Sequence, residues 1–181
     1  MKQKGFTLIE LMITLVVMGI LLMSVVGMAQ TFITNAKLRT SAEEFRTAIT
    51  TAKVEAVKRN ASIIFNSDST GGWGIDIASA FTVSGSIEHL QTKATTSLLS
   101  VVALDKDGNA FTKFRFTGTG RPSSDTSTEV PTPPNYPITY SFSVANKSCG
   151  SDSGITCLNV VITGGGQIKV CNPEATNISG C

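Results

Sequence analysis

The chain has 181 residues, of which 41% are hydrophobic, 15% charged and 7% aromatic. That is enough for one domain with its own core and too short for most two-domain enzymes. A single histidine, His89, excludes metal chemistry built on several imidazoles, and a formal net charge of +2 is too small to argue for nucleic acid by itself.

The apolar residues are concentrated at one end. Residues 11–36 carry no charge, and the 19 residues Leu11 to Ala29 contain only Thr14 and Ser24 as clearly polar side chains. A helix needs about 20 apolar residues to span a bilayer core. Lys2 and Lys4 precede this run and favour a cytoplasmic N-terminus with the remaining chain outside. A secretory signal peptide cut loosely at Gly27-Met28-Ala29 and a plain single-span anchor are the two ordinary readings. Glu10 argues against both, because an acidic side chain near the centre of a spanning helix costs about 2.5–3.5 kcal/mol and less towards the interface. A cut after Gly5 gives Phe6 a free α-amine four residues before Glu10, about 6 Å away along a helix axis. The carboxylate of one subunit then has a terminal amine of a neighbour to pair with.

Lys4-Gly5-Phe6-Thr7-Leu8-Ile9-Glu10 closely resembles the cleavage and methylation motif of type IV pilins and type II secretion pseudopilins. The resemblance implies a leader over residues 1–5, removed after Gly5 by a prepilin peptidase that methylates Phe6, and an assembly role for Glu10. It implies a precursor in a bacterial inner membrane with a periplasmic domain, which then joins a pilus filament or its tip. Its implied partners are other minor pilins, the major pilin and the inner-membrane assembly platform. Loss of Lys2 and Lys4 lowers the 15 basic residues to 13, equal to the 13 acidic ones, so the basic balance belongs to the leader.

In chain order, the first element is one long helix from about Thr7 to about Arg59, with a transmembrane half over about residues 9–33. Residues 30–59 contain no Gly or Pro, and Phe45, Ile49, Ala52 and Ala56 form one apolar stripe while Glu43, Arg46, Lys53 and Lys58 fall on other faces. No sustained heptad supports a coiled coil. Beyond Asn60 the pattern becomes strand-like, giving a domain over residues 60–181. Ala61–Phe65 and Trp73–Ile77 are short strands joined around Gly71-Gly72, and Trp73 anchors the early sheet. Leu98–Leu104 and Ala110–Phe116 flank Asp105-Lys106-Asp107-Gly108-Asn109, a hairpin signal. The acidic spacing there lacks the length and terminal acid of a calcium loop. Residues 121–137 hold five of the six prolines and form a long loop, either mobile or a contact surface. Ile138, Tyr140, Phe142 and Val144 alternate with polar residues as a half-buried strand, and Leu158–Ile162 pairs with Gln167–Cys171 across Gly164-Gly165-Gly166. That glycine run lacks the phosphate-loop pattern. The expected fold class is α+β: a type IV pilin fold, with the long N-terminal helix packed on a C-terminal antiparallel sheet.

Phe116-Thr117-Gly118-Thr119-Gly120-Arg121 and the terminal Gly166-Gln167-Ile168-Lys169-Val170-Cys171-Asn172-Pro173 resemble signatures of the GspH/FimT-like minor pilin domain. The resemblance implies a minor pilin that primes or joins a type IV pilus near its tip, or a minor pseudopilin of type II secretion. Some relatives bind DNA through a glycine-arginine turn and a basic tail. Here Gln167 takes the arginine-like place, and Arg115, Arg121 and Lys169 are the DNA-contact candidates, with no basic stripe to support them.

Cys149, Cys157, Cys171 and Cys181 lie in the last 33 residues, and an even number in an exported domain points to two disulfides. Four cysteines allow three connectivities: Cys157–Cys171 follows if Val160 pairs with Ile168, and the sequential pairs Cys149–Cys157 and Cys171–Cys181 fit equally well. Spacings of eight, fourteen and ten lack a zinc knuckle. No serine elbow accompanies His89, Asp105 and Asp107 belong to a turn, and no cofactor motif is present, so the reading is not of an enzyme. The Asn-X-Ser patterns at Asn60, Asn146 and Asn177 mean little in a bacterial exported chain.

Overall fold

The computed structural model describes residues 6–78, 88–95, 99–124, 130, 132–150 and 152–174, with the side chains of residues 24–28 and of Glu88 outside that set. Helix α1 runs Leu8–Arg59. Thr7 is its N-cap rather than its first helical residue: the hydroxyl accepts from the Glu10 N–H at 3.4 Å. Asn60 ends it in the left-handed region (φ 47°), with its N–H on the carbonyls of Ala56 and Val57. Lys58 and Arg59 in the last turn face the negative end of the helix dipole.

Among the described residues nine strands follow: β1 (Ile63–Ser67), β2 (Trp73–Ile77), β3 (Glu88–Lys93), β4 (Leu99–Leu104), β5 (Lys113–Phe116), β6 (Pro122–Ser123), β7 (Ile138–Val144), β8 (Leu158–Ile162) and β9 (Ile168–Cys171). They form two antiparallel sheets, ordered β3-β2-β1-β5-β6 and β4-β7-β8-β9, where the sequence pattern indicated one. The C-terminal half of α1 covers both. Leu38, Ala42, Phe45, Ala48, Ile49, Ala52 and Ala56 are its buried side chains, at the three- and four-residue spacing of one helix face.

Phe45 sits where the two sheets meet. Its ring lies 5.1 Å from Phe65 of the first sheet, and 4.8 and 5.1 Å from Tyr140 and Phe142 of the second. These tilted and edge-on pairs are worth about 0.5–1.5 kcal/mol each beyond burial. Trp73 stacks on Phe65 at 6.2 Å, as an anchor of the early sheet does. Burial pushes the phenols of Tyr140 and Tyr136 far above the ordinary tyrosine value, so both stay neutral.

The structure departs from the sequence pattern in four places. First, β4 and β5 are not a hairpin. They share one bridge, Leu104 to Ala110, and then separate, β4 pairing with β7 and β5 with β1. Phe111 explains the switch: it turns inward against Tyr140 at 5.4 Å, and the Ser67 N–H takes the Thr112 carbonyl. The Asp-Gly turn itself is present, closed by Asp105, whose carboxylate accepts from the N–H groups of Asp107 and Asn109. Second, β3 has no apolar alternation and escapes pattern reading, because an edge strand needs only one partner. Pro122-Ser123 likewise forms a two-residue edge strand inside the expected loop. The same loop is tied down by Val130, which is buried, and by Asn135, which bonds Asp107 at 2.8 Å. Third, β8 pairs with β9 as Val160 to Val170 and Ile162 to Ile168, two residues away from the register that would face Cys157 to Cys171. Fourth, Lys53 is not a free polar-face residue. Its ammonium donates to the Gly166 carbonyl at 2.9 Å.

That last contact joins the two family-like turns. Gly120 (φ +73°) and Gly166 (φ +78°) both occupy the left-handed region, and a Cβ on Gly166 would stand 3.0 Å from the Gly120 carbonyl oxygen. Only hydrogen at these positions lets the two sheets close around Lys53 at the top of α1.

Phe45→Ala should cost about 3–5 kcal/mol, read as a lower urea midpoint with an unchanged slope. Asp105 supplies a pH signature. Burial raises its pKa, but the bonds from Asn109, Asn135 and Asp107 outweigh this and hold it below the usual aspartate value. A depressed carboxylate contributes stability that is present above about pH 3.9 and lost as pH falls through the folded value. Asp105→Asn should therefore flatten the acid limb of a stability–pH curve below about pH 4 and leave the slope at neutral pH unchanged.

Candidate assembly site

The N-terminal half of α1 is bare. Phe6 is 86% exposed, and every described side chain from there to Met23 is exposed, including Leu8, Ile9, Leu11, Met12 and Ile13. A helix that is apolar on all sides is stable only when something else surrounds it. Among the described residues no helix is long and apolar enough to cross a membrane; the apolar run of the sequence continues through residues 24–28, whose side chains lie outside the described set. Gly5 also lies outside it. Glu10 is the acidic residue of the first turn, exposed, with its N–H held by Thr7. The Thr7 cap directs the chain so that Phe6 and Thr7 precede the helix instead of continuing it.

Further along, α1 shows a second open face. Thr47, Thr50 and Thr51 donate their hydroxyls to the carbonyls of Glu43, Arg46 and Thr47 at 2.8, 2.8 and 3.0 Å. Turning the hydroxyl inward leaves the methyl group outward. Thr47 and Thr51, with Thr40 and Ala48, form one wall of a shallow groove of about 830 Å³, whose other wall is Trp73, Gln91 and Lys93. Lys93 pairs with Glu44 and straps β3 to the helix.

His89 on β3 is exposed but not isolated. Its Nδ1 lies 2.6 Å from Asp76 Oδ1, and Asn66 donates to Asp76 Oδ2 at 2.6 Å. Asp76 is buried, so its carboxylate is satisfied from both sides. Sequence reading missed this trio. The signal was present only as β1–β2 register plus a bulge between Ile75 and Asp76 that shifts β3.

The three candidate DNA-contact cations lie on different elements. Arg115, on β5, reaches Ser123 at 3.3 Å and is half-buried, while Arg121 precedes β6 and Lys169 lies on β9 of the other sheet. Cys149 and Cys157 form a disulfide with Cα atoms 5.6 Å apart. Cys157 is thus not the partner of Cys171, and neither bonded sulfur is a thiolate for zinc. Cys171 is also disulfide-bonded; Cys181 lies outside the described residues.

Two family matches bear on this geometry. Residues 1–26 match the prokaryotic N-terminal methylation motif, and residues 41–166 match the family described as type II transport protein GspH. The chain belongs to the GspH family. It is a protein of the minor pilin and pseudopilin class, carrying the methylation motif ahead of the GspH domain. Solved structures share the fold of this GspH-family chain. The type IV minor pilin FimU of Pseudomonas aeruginosa is 19% identical, with a TM-score of 0.53 over 76% of this chain and 98% of that one. The minor pseudopilin EpsH of the type 2 secretion system of Vibrio cholerae is 13% identical, with a TM-score of 0.54 over 76% and 98%. No curated protein matches the chain at a significant level.

The Cys149–Cys157 bond closes a sequence separation of eight residues, so its loss in the Cys149→Ser, Cys157→Ser double variant should cost about 2–3 kcal/mol. Comparing urea unfolding of that variant with the parent checks the figure.

Proposed function

We propose that this chain is a structural subunit, not an enzyme: a minor pilin that primes or joins a type IV pilus near its tip. The observation that carries the reading is the bare apolar half of α1, headed by Glu10 and preceded by the methylation motif. In this reading the leader over residues 1–5 is removed after Gly5, Phe6 becomes the methylated terminus, and the helix anchors the precursor in the inner membrane with its domain in the periplasm. On leaving the bilayer, the helix enters a filament of other pilins, which replace lipid as its apolar surroundings. Glu10 then pairs with the Phe6 amine of a neighbour, because a carboxylate moved into an apolar bundle needs an opposite charge. The prepilin peptidase, the assembly platform, the major pilin and other minor pilins are the partners of this sequence of events.

The same anatomy serves a minor pseudopilin of type II secretion, which the description of the matched family supports. Duplex DNA is not favoured as a partner: Arg115 is engaged with Ser123, and the sequence around Arg121 and Lys169 carries no basic stripe.

Glu10→Ala separates processing from assembly. The variant should be cut after Gly5 and gain its methyl group as the parent does, by intact mass of the membrane fraction. Its recovery in sheared filaments should fall at least about tenfold, the loss expected when about 1.4 kcal/mol or more of pairing is removed. Unchanged recovery of the variant in filaments would refute the assembly role of Glu10.

A further inference from the structure

The disulfide loop meets α1 at one level. Asn35 Nδ2 donates to the Gly154 carbonyl at 2.8 Å, and its Oδ1 accepts from the Thr156 N–H at 3.0 Å. This two-point amide clamp satisfies loop backbone as a neighbouring strand would. Gly154 lies in the left-handed region (φ +65°), and a Cβ there would stand 3.1 Å from Thr31 Cγ2, so loop backbone rests directly on the helix. Within the loop, Ser153 Oγ is 2.7 Å from the Ser148 carbonyl and 3.0 Å from that of Gly150, and Gly150 bridges Ile155. The loop is closed covalently, braced internally and fixed to α1.

The level of this clamp has a physical meaning. Above it the core begins, with Leu38, Ala42 and Phe45. Below it, Ala29 and Gln30 are exposed, as are the described side chains from Phe6 to Met23. Leu11 to Ala29 is 19 residues, about 28 Å at 1.5 Å per residue, against a hydrocarbon core of about 30 Å. With that run in the bilayer, Thr31 and Asn35 fall at the outer headgroup layer, and Gly154 with them. On the same turns Phe32 is 75% and Ile33 52% exposed, and exposed Lys37 follows one turn later. An apolar pair followed by a cation is the order that fixes a helix at an interface.

We propose that Asp152, Ser153 and Gly154, held on α1 by Asn35, form a collar that rests on the outer lipid headgroup layer of the anchored chain, while Phe32 and Ile33 dip into the interface. The inference rests on the reading of α1 as a membrane anchor. Its partner is the lipid surface itself. Polar loop backbone and hydroxyl groups hydrogen-bond with headgroups and water there, and a braced loop that cannot enter hydrocarbon acts as a depth stop for α1. The collar also fixes the orientation of the domain over the membrane, because the clamp is rigid on the helix side.

The test uses the full chain in two sets of vesicles of phosphatidylethanolamine and phosphatidylglycerol, one containing a phospholipid brominated on the acyl carbons nearest the headgroup and the other a phospholipid brominated near the acyl chain ends. The background is Trp73→Phe, which keeps a ring on Phe65 and is checked for folding by circular dichroism. Single tryptophans are introduced as Leu21→Trp in the apolar run, Asp152→Trp in the collar and Lys106→Trp in the distant β4–β5 turn. The expected result is emission lowered at least about twofold for Leu21→Trp by the chain-end bromines and for Asp152→Trp by the headgroup-proximal bromines, and unchanged for Lys106→Trp in either set. Adding Asn35→Ala should restore most of the emission of Asp152→Trp and leave that of Leu21→Trp quenched. Quenching of Leu21→Trp with none at Asp152→Trp overturns the collar and leaves the anchor standing. No quenching at either position overturns the anchor reading, and the collar with it.

Discussion

The contact on which the rest of this structure depends is the one made by Phe45. One ring on α1 touches Phe65 of the first sheet and Tyr140 and Phe142 of the second. Without a helix residue of that size at that position, the two sheets have no common filling. The small residues around it set how closely α1 approaches: Ala42, Ala48, Ala52 and Ala56 bring the helix backbone down onto strands whose own large side chains supply the volume. The domain is built around the helix and has no core without it, even though half of the helix lies outside that core.

That division of α1 is the link between fold and function. Its C-terminal half is amphipathic and committed to the domain, while its N-terminal half is apolar on every described face and committed to nothing within the chain. No local propensity ends the helix between them, so one continuous helix, Leu8–Arg59, carries both halves. At the top, Lys53 and the Gly120 and Gly166 turns tie the last hairpin to the helix. At the lower edge of the domain, Asn35 ties the disulfide loop to it. These two polar fixings lie at opposite ends of the apolar stripe and prevent the domain from rolling about the helix axis.

Much of this architecture is legible in the amino-acid sequence. The buried positions Phe45, Ile49, Ala52 and Ala56 follow from a period of 3.6, and β2, β7 and β8 follow from alternation or short apolar runs with their observed bounds. The Lys4 to Glu10 segment carries the methylation motif. The features that are not legible share one cause. The partner of β5, the register of β8 with β9, the pairing of Cys149 and the Asp76–His89–Asn66 trio are all set by contacts between residues distant in sequence. An Asp-Gly turn favours a hairpin locally, but burying Phe111 against Tyr140 and pairing Phe114 with Phe65 outweigh that preference.

The helix, its apolar half, the family and the order of helix then antiparallel strands are all written in the chain, because they depend on composition and on periods within single elements. Three-dimensional packing was needed to establish that there are two sheets instead of one, that Lys53 and Asn35 serve as fixings between helix and domain, and that the disulfide loop lies against Thr31. Those outcomes depend on which distant backbone groups come to face each other, and no local period encodes that.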